Sequence, residues 1–195
     1  AGYAYLPGSV NNWGDAWLDG IVIQNSYTGA IGTSNTFRSR TLTHEVGHWL
    51  NLRHLWGGSN TPGDQGNCDE DDNVDDTPLS MGWTTCNVEG ESCGSLDNVA
   101  NIMDYTNCAY MFSKGQRLRM IAALNSNSGA RNNLWSQENL ELTGTNDAHY
   151  FSDPYSDCIP VPAFTIEGDH FGSLGQNGFP VQFVDQTYNI MQGQV

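Results

Sequence analysis

Residues 41–54 read Thr-Leu-Thr-His-Glu-Val-Gly-His-Trp-Leu-Asn-Leu-Arg-His and hold three of the chain's five histidines within eleven positions. His44 and His48 stand four apart, so on a helix they stack on one face about 5–6 Å apart, within reach of one metal ion. Glu45, beside His44, is placed to work on a water held by that metal. His54 comes six residues after His48, too far along to share that face unless the helix stops and the chain turns back. Asn51 supplies the stop, because asparagine is the non-glycine residue that best tolerates a left-handed backbone. Ser39, Thr41 and Thr43 are candidates to cap the start of the helix, and Leu42, Val46, Trp49 and Leu50 form an apolar stripe at helical spacing. A bare His-Glu-x-x-His arises by chance in many helices. The third histidine at this offset separates the stretch from a chance match and from a satisfied core histidine. Three neutral nitrogen ligands with a fourth position open are the arrangement of a catalytic rather than a structural zinc.

A second stretch, Asn-Ile-Met-Asp-Tyr at 101–105, belongs with the first. His-Glu-Val-Gly-His-Trp-Leu-Asn-Leu-Arg-His and Asn-Ile-Met-Asp-Tyr together resemble the metzincin metallopeptidases and, within them, the pappalysin family, especially its secreted, ulilysin-like bacterial members. The resemblance covers roughly residues 2–124. It implies an α+β, metzincin-like metallopeptidase domain built from a zinc helix, a Met-turn and a C-terminal helix. It further implies that Met103 forms a hydrophobic floor under the metal and that Tyr105 swings toward the metal to help bind the tetrahedral intermediate. Disulfides Cys68–Cys93 and Cys86–Cys108 follow from the same resemblance, as does calcium in a loop matching Asp72, Asp75 and Thr77. In metzincins an edge strand ahead of the zinc helix lines the cleft. The β-branched run Gly20-Ile-Val-Ile-Gln24 makes residues 21–25 the candidate, with an ordinary buried strand as the alternative. A metzincin usually places a helix and several strands before that strand, and only about twenty residues precede it here, so the upper subdomain is expected to be truncated.

Composition narrows the partners. Lys plus Arg number 7 against 22 Asp plus Glu, a net charge of −15, which argues against nucleic acid or an anionic membrane surface. The sequence has no run of eighteen apolar residues to span a membrane, and residues 1–7 lack the basic start and apolar core of a signal peptide. The five cysteines contain no Cys-x-x-Cys pair. Four of them, Cys68, Cys86, Cys93 and Cys108, lie in one loop-rich region, which points to disulfides and a secreted, extracellular setting. Cys158 is left over. Between Asp69 and Asp76 every position but Asn73 and Val74 is acidic. Such a run repels itself unless it is solvated or metal-bound, and its hard oxygens suit calcium, although Val74 and Ser80 break the spacing of an EF-hand.

Residues 57–95 are rich in glycine, asparagine and acids and show no regular element. Ser113-Lys-Gly-Gln116 reads as a capping box, followed by a helix whose stripe of Leu118, Ile121, Ala122 and Leu124 is expected to face the core. Residues 135–145 are expected to pack back as an appendage. The composition changes near Asp153, giving a catalytic domain over 1–150 and a β-rich segment over 151–195. In that segment Cys158-Ile-Pro-Val-Pro-Ala-Phe-Thr-Ile166 and Pro180-Val-Gln-Phe-Val184 resemble the opening strands of a PKD-type, immunoglobulin-like module. Roughly forty residues are too few to complete such a sandwich of ~100.

The function these features imply is a secreted zinc endopeptidase acting on protein or peptide substrates, with Glu45 as general base and Tyr105 stabilising developing charge. Two other readings are open to the same sequence: a calcium-dependent adhesion or binding module with a vestigial peptidase site, and a zinc hydrolase of a non-peptide substrate. Retention of Glu45 speaks against the first. By resemblance the residue before the cysteine that follows the Met-turn sets specificity. Here it is Asn107, uncharged, which implies a preference broader than arginine and lysine, admitting polar or medium-sized apolar residues.

Overall fold

The computed structural model describes residues 1–11, 15–36, 38–145, 164–167 and 182–185. The chain divides into two compact units, Ala1–Thr145 and Asn146–Val195. In the first, β1 (Gly2–Ala4) pairs antiparallel with β2 (Ile21–Ile23), with Tyr3 opposite Val22. Helix α1 (Thr41–Trp49) follows, then a long loop holding a minimal hairpin, β3 (Glu91–Ser92) with β4 (Ser95–Leu96). Helix α2 (Lys114–Leu124), a 3-10 segment (Ser128–Trp135) and α3 (Gln137–Thr143) complete the unit. In the second unit β5 (Phe164–Glu167) pairs antiparallel with β6 (Gln182–Asp185). The rest of the PKD-like reading, Cys158 included, lies outside the described residues. Among the described residues no helix is long and apolar enough to cross a membrane.

Helix α1 buries its chemistry rather than its apolar stripe. His44, Glu45 and Gly47 are the buried positions, while Leu42 is 38 % exposed and Val46, Trp49 and Leu50 are only partly covered. Its N-cap is Arg40 and no side chain caps it; Ser39 instead gives its hydroxyl to Thr36 O. The C-terminal end is a Schellman motif. Asn51 stands at φ 73, its N–H meets His48 O at 2.8 Å, and Leu52 N–H reaches back to Gly47 O at 2.9 Å. This turn sends the chain back along the helix and delivers His54. Leu52, Leu55 and Trp56 from the return, with Met103, form the buried cluster against which Phe112 and Met120 pack.

The capping box of α2 is present: Gln116 N donates to Ser113 Oγ at 3.0 Å, and Gln116 Oε1 accepts from Ser113 N at 2.9 Å. The same Oε1 accepts from Asn101 Nδ2 at 2.8 Å, which ties the helix to the Met-turn. The expected stripe is displaced. Leu118 and Ile121 are 54 % and 40 % exposed, whereas Gln116 and Ala123 are buried and Met120 meets the core. Hydrogen bonds decide this face: Gln116 holds the Met-turn, and Arg119 Nε donates to Asn51 O at 2.7 Å, bracing the Schellman turn from behind.

Disulfides Cys68–Cys93 and Cys86–Cys108 close the long loop, with Cα separations of 5.3 and 5.5 Å. The second bonds that loop to the segment just after the Met-turn. Between them Asn67 Nδ2 donates to Thr61 O and Met81 O, each at 2.9 Å, so a glycine-rich segment without long elements is held by side chains and bridges.

Candidate metal centre and active-site cleft

Two segments bring the histidines together: α1 supplies His44 and His48, and the returning chain supplies His54. Each ring gives its Nδ1–H to a backbone carbonyl: His44 to Ile102 O at 2.7 Å, His48 to Leu52 O at 2.8 Å, His54 to Ser59 O at 2.9 Å. Those bonds set the tautomer and leave each Nε2 with a bare lone pair. His48 Nε2 and His54 Nε2 lie 3.2 Å apart, and one ring nitrogen from each of the three lies within 4.8 Å of the others. Two acceptors cannot bond each other, so the contact calls for a proton or a cation. Burial rejects the proton: it pushes His44 down to about 4 and His54 to about 3, and lowers His48 as well. Tetrahedral zinc with Zn–N of about 2.0–2.1 Å needs nitrogens roughly 3.3 Å apart. The donor set therefore fits a zinc ion.

Glu45 is 5 % exposed beside this set. Burial pushes its carboxyl up to about 7, against a hydrogen bond from the Ala4 backbone that pulls the other way. It stands close under β1, since a Cβ on Gly2 would lie 3.1 Å from Glu45 Cγ and Oε1. Met103 is fully buried beneath the helix. Its sulfur comes so near Gly47 that a Cβ there would sit 2.5 Å from it, so the glycine between Glu45 and His48 is what lets the floor rise to the site. The Met-turn is itself held by Asn101, whose Oδ1 accepts from Met103 N at 2.9 Å. Tyr105 is 39 % exposed, with its ring 5.4 Å from His44 and 4.8 Å from His54. Trp56 stacks on His54 at 4.6 Å and shares Ser59 O with it.

Some expected residues stand elsewhere. The strand lining the cleft is β1, not residues 21–25: Gly2, Tyr3, Ala4 and Tyr5 wall the cavities around Glu45 and the histidines, while β2 lies behind β1. Asn107 is exposed and does not line the cavity beside Glu45, where Arg38, Arg40 and Asp104 do. The acidic run is not gathered into a ligand set. Asp72 spends its buried carboxylate on Val74 N at 3.0 Å and Thr77 Oγ1 at 2.8 Å, Asp75 is exposed, and Asp76 turns to Ser113 Oγ and Gly115 N at the start of α2. Among the described residues the three histidines are the group whose ligand atoms converge. Calcium thus has the acidic run behind it and no assembled site.

A helix, a return turn and a methionine floor arranged in this way are the metzincin architecture, and known proteins narrow it further. The peptidase M43 family model, described as Pregnancy-associated plasma protein-A, matches residues 1–125. The chain belongs to this pappalysin family. It is similar to an extracellular metalloprotease of Colletotrichum graminicola, 36 % identical over 126 residues, covering 61 % of this chain and 43 % of that protein. A second, from Neurospora crassa, is 36 % identical over 132 residues, covering 64 % and 44 %. The chain therefore spans less than half the length of these relatives. Among solved structures it resembles Tannerella forsythia mature mirolysin in complex with a cleaved peptide, with a TM-score of 0.58 and 34 % identity over 73 % of this chain and 53 % of that one.

Proposed function

We propose that the protein is a secreted zinc endopeptidase in which His44, His48 and His54 hold the metal and Glu45 is the general base. The observation that carries this is the set of three histidines, each fixed by a carbonyl on Nδ1 so that Nε2 converges, with a buried carboxylate alongside. When bound, zinc supplies Lewis-acid polarisation of the scissile carbonyl and acidifies a water at the site. Glu45 takes the proton of the attacking water and passes it to the leaving amine, a role worth roughly 10²–10⁴-fold. Its raised basicity matches that task, since a carboxylate near neutrality accepts and returns a proton readily. Tyr105, beside His44 and His54, donates its hydroxyl to the oxygen on which charge develops. Strand β1 pairs with β2 on one edge, and its other edge is offered to an extended substrate main chain.

Secretion is supported by the two disulfides and by relatives named as extracellular. A peptide substrate is supported by the cleaved peptide bound to mirolysin. An adhesion module would have no use for a base buried beside the histidines. Residues 151–195 form a separate β-rich segment in this reading. The test is cleavage of a denatured protein before and after a zinc chelator. Loss of cleavage with chelator and recovery on adding zinc are expected; undiminished cleavage in chelator would remove the metal from the mechanism.

A further inference from the structure

A cavity of about 310 Å³ opens beside the site and is lined by His44 and Glu45 but not by His48 or His54. Its wall includes Ile102 and Ala109, and two arginines, Arg38 and Arg40, border it. The Arg38 guanidinium lies 4.6 Å over the ring of Tyr27, another lining residue, which holds its plane while leaving its N–H edge to a ligand. Neither arginine meets a carboxylate among the described residues, where the ion pair is Arg131–Asp19. The other basic side chains apart from Arg131 are likewise outside ion pairs among the described residues; what sets Arg38 and Arg40 apart is that both border one cavity beside Glu45.

Two carboxyls also line the cavity, and neither forms an ion pair with the arginines. Glu45 sits against β1 and the histidines. Asp104 is 3 % exposed, and its Oδ1 is taken by Trp83 N at 2.8 Å and Tyr105 N at 2.7 Å. Burial pushes Asp104 up to about 7, so it holds its proton through the mildly acidic range.

We infer that this cavity receives an acidic substrate side chain, aspartate or glutamate, flanking the scissile bond, with Arg38 as the main specificity determinant and Arg40 assisting. The inference rests on the peptidase reading for the meaning of "scissile bond", but the recognition itself requires only the cavity. A guanidinium with an open edge takes a carboxylate through two parallel hydrogen bonds, which an amide of the same shape cannot match. A charged hydrogen bond at a partly exposed site discriminates by about tenfold, and screening by salt reduces it.

The experiment uses three fluorogenic peptides that differ at one flanking residue, Glu, Gln or Arg, prepared for each side of the cut. For one of the two sides the Glu peptide should exceed Gln about tenfold in kcat/KM, and the ratio should shrink in high salt. The ratio should collapse toward one in Arg38→Leu and survive in part in Arg38→Lys, whatever the overall rates of those variants. Glu no better than Gln on either side, or Arg preferred, overturns the inference while leaving the peptidase reading intact. If no peptide is cleaved, the peptidase reading falls, and fluorescence-anisotropy binding of the same peptides decides the cavity: tighter binding of Glu that is lost in Arg38→Leu supports it, equal binding overturns it.

Discussion

At the scale of single residues, the site depends on where protons sit. Asp104 shows this away from the metal ligands, because its Oδ2 is buried with no partner while Oδ1 accepts two backbone N–H groups. Burial raises its pKa from 3.8 to about 7. The folded chain therefore keeps a proton that the unfolded chain releases as pH rises from about 4 to 7, so folding stability falls across that window and levels off above it. Asp104→Asn keeps the acceptor and removes the titration. The melting temperature of the variant minus that of the parent should thus rise between pH 5 and pH 8; a difference that does not change with pH would show that Asp104 is ionised throughout. Much at this scale was legible in the sequence. The spacing of His44 and His48 is local helical geometry, and Glu45 lies between them. The carbonyls of Leu52, Ser59 and Ile102 that fix the tautomers were not, because any residue supplies a carbonyl and only the folded path says which one arrives. Arg38 and Arg40 were missed for a related reason: the cavity they border is walled by segments from both ends of the first 109 residues.

At the scale of elements, the turn after α1 decides whether His54 returns to the site. Asn51 was readable as the stop because left-handed backbone excludes most residues, and the φ of 73 bears directly on it. Asn51→Val is expected to cost about 1–2 kcal/mol from that conformation alone, and Asn51→Gly to cost little. Chemical denaturation of the two variants checks this, and equal losses would mean that the asparagine side chain, not the backbone, matters. Helix faces were less legible. Apolar stripes on α1 and α2 suggested which sides are buried, yet α1 buries His44, Glu45 and Gly47, and α2 docks through Gln116 and Arg119. Where an element exists to hold a site, hydrogen bonding outranks hydrophobic periodicity. Strand β1 is three residues long, too short for period-two alternation to stand out from the turns around it.

At the scale of the whole molecule, a small core is supplemented by ties between distant segments. Arg131 is the main one. Its guanidinium is 1 % exposed, bonds both oxygens of Asp19 at 2.6 and 2.7 Å, donates to Trp49 O at 3.0 Å, and stacks 3.7 Å over the Trp49 ring. It thereby fastens the start of the chain and the 3-10 segment after α2 to the end of α1. Breaking a buried pair of this kind costs about 3–5 kcal/mol. The Asp19 side chain is 27 % exposed and can be partly rehydrated, so Arg131→Leu should fall toward the lower end. A denaturation midpoint equal to the parent's would show that stacking and packing by leucine replace the network. No sequence pattern marks a pair 112 residues apart. The same holds for the sheet pairing Gly2 with Ile23. The disulfides could be anticipated only as a cluster of cysteines and through the family resemblance.

In the proposed mechanism three histidines hold a zinc ion and the buried Glu45 moves the proton. Zinc content and peptide cleavage measured on one preparation of Glu45→Gln test it most directly, since the amide keeps the shape and removes the base. One zinc per chain, as in the parent, with cleavage reduced by roughly 10²–10⁴-fold is the expected result. Cleavage at the parent's rate with zinc retained would contradict it.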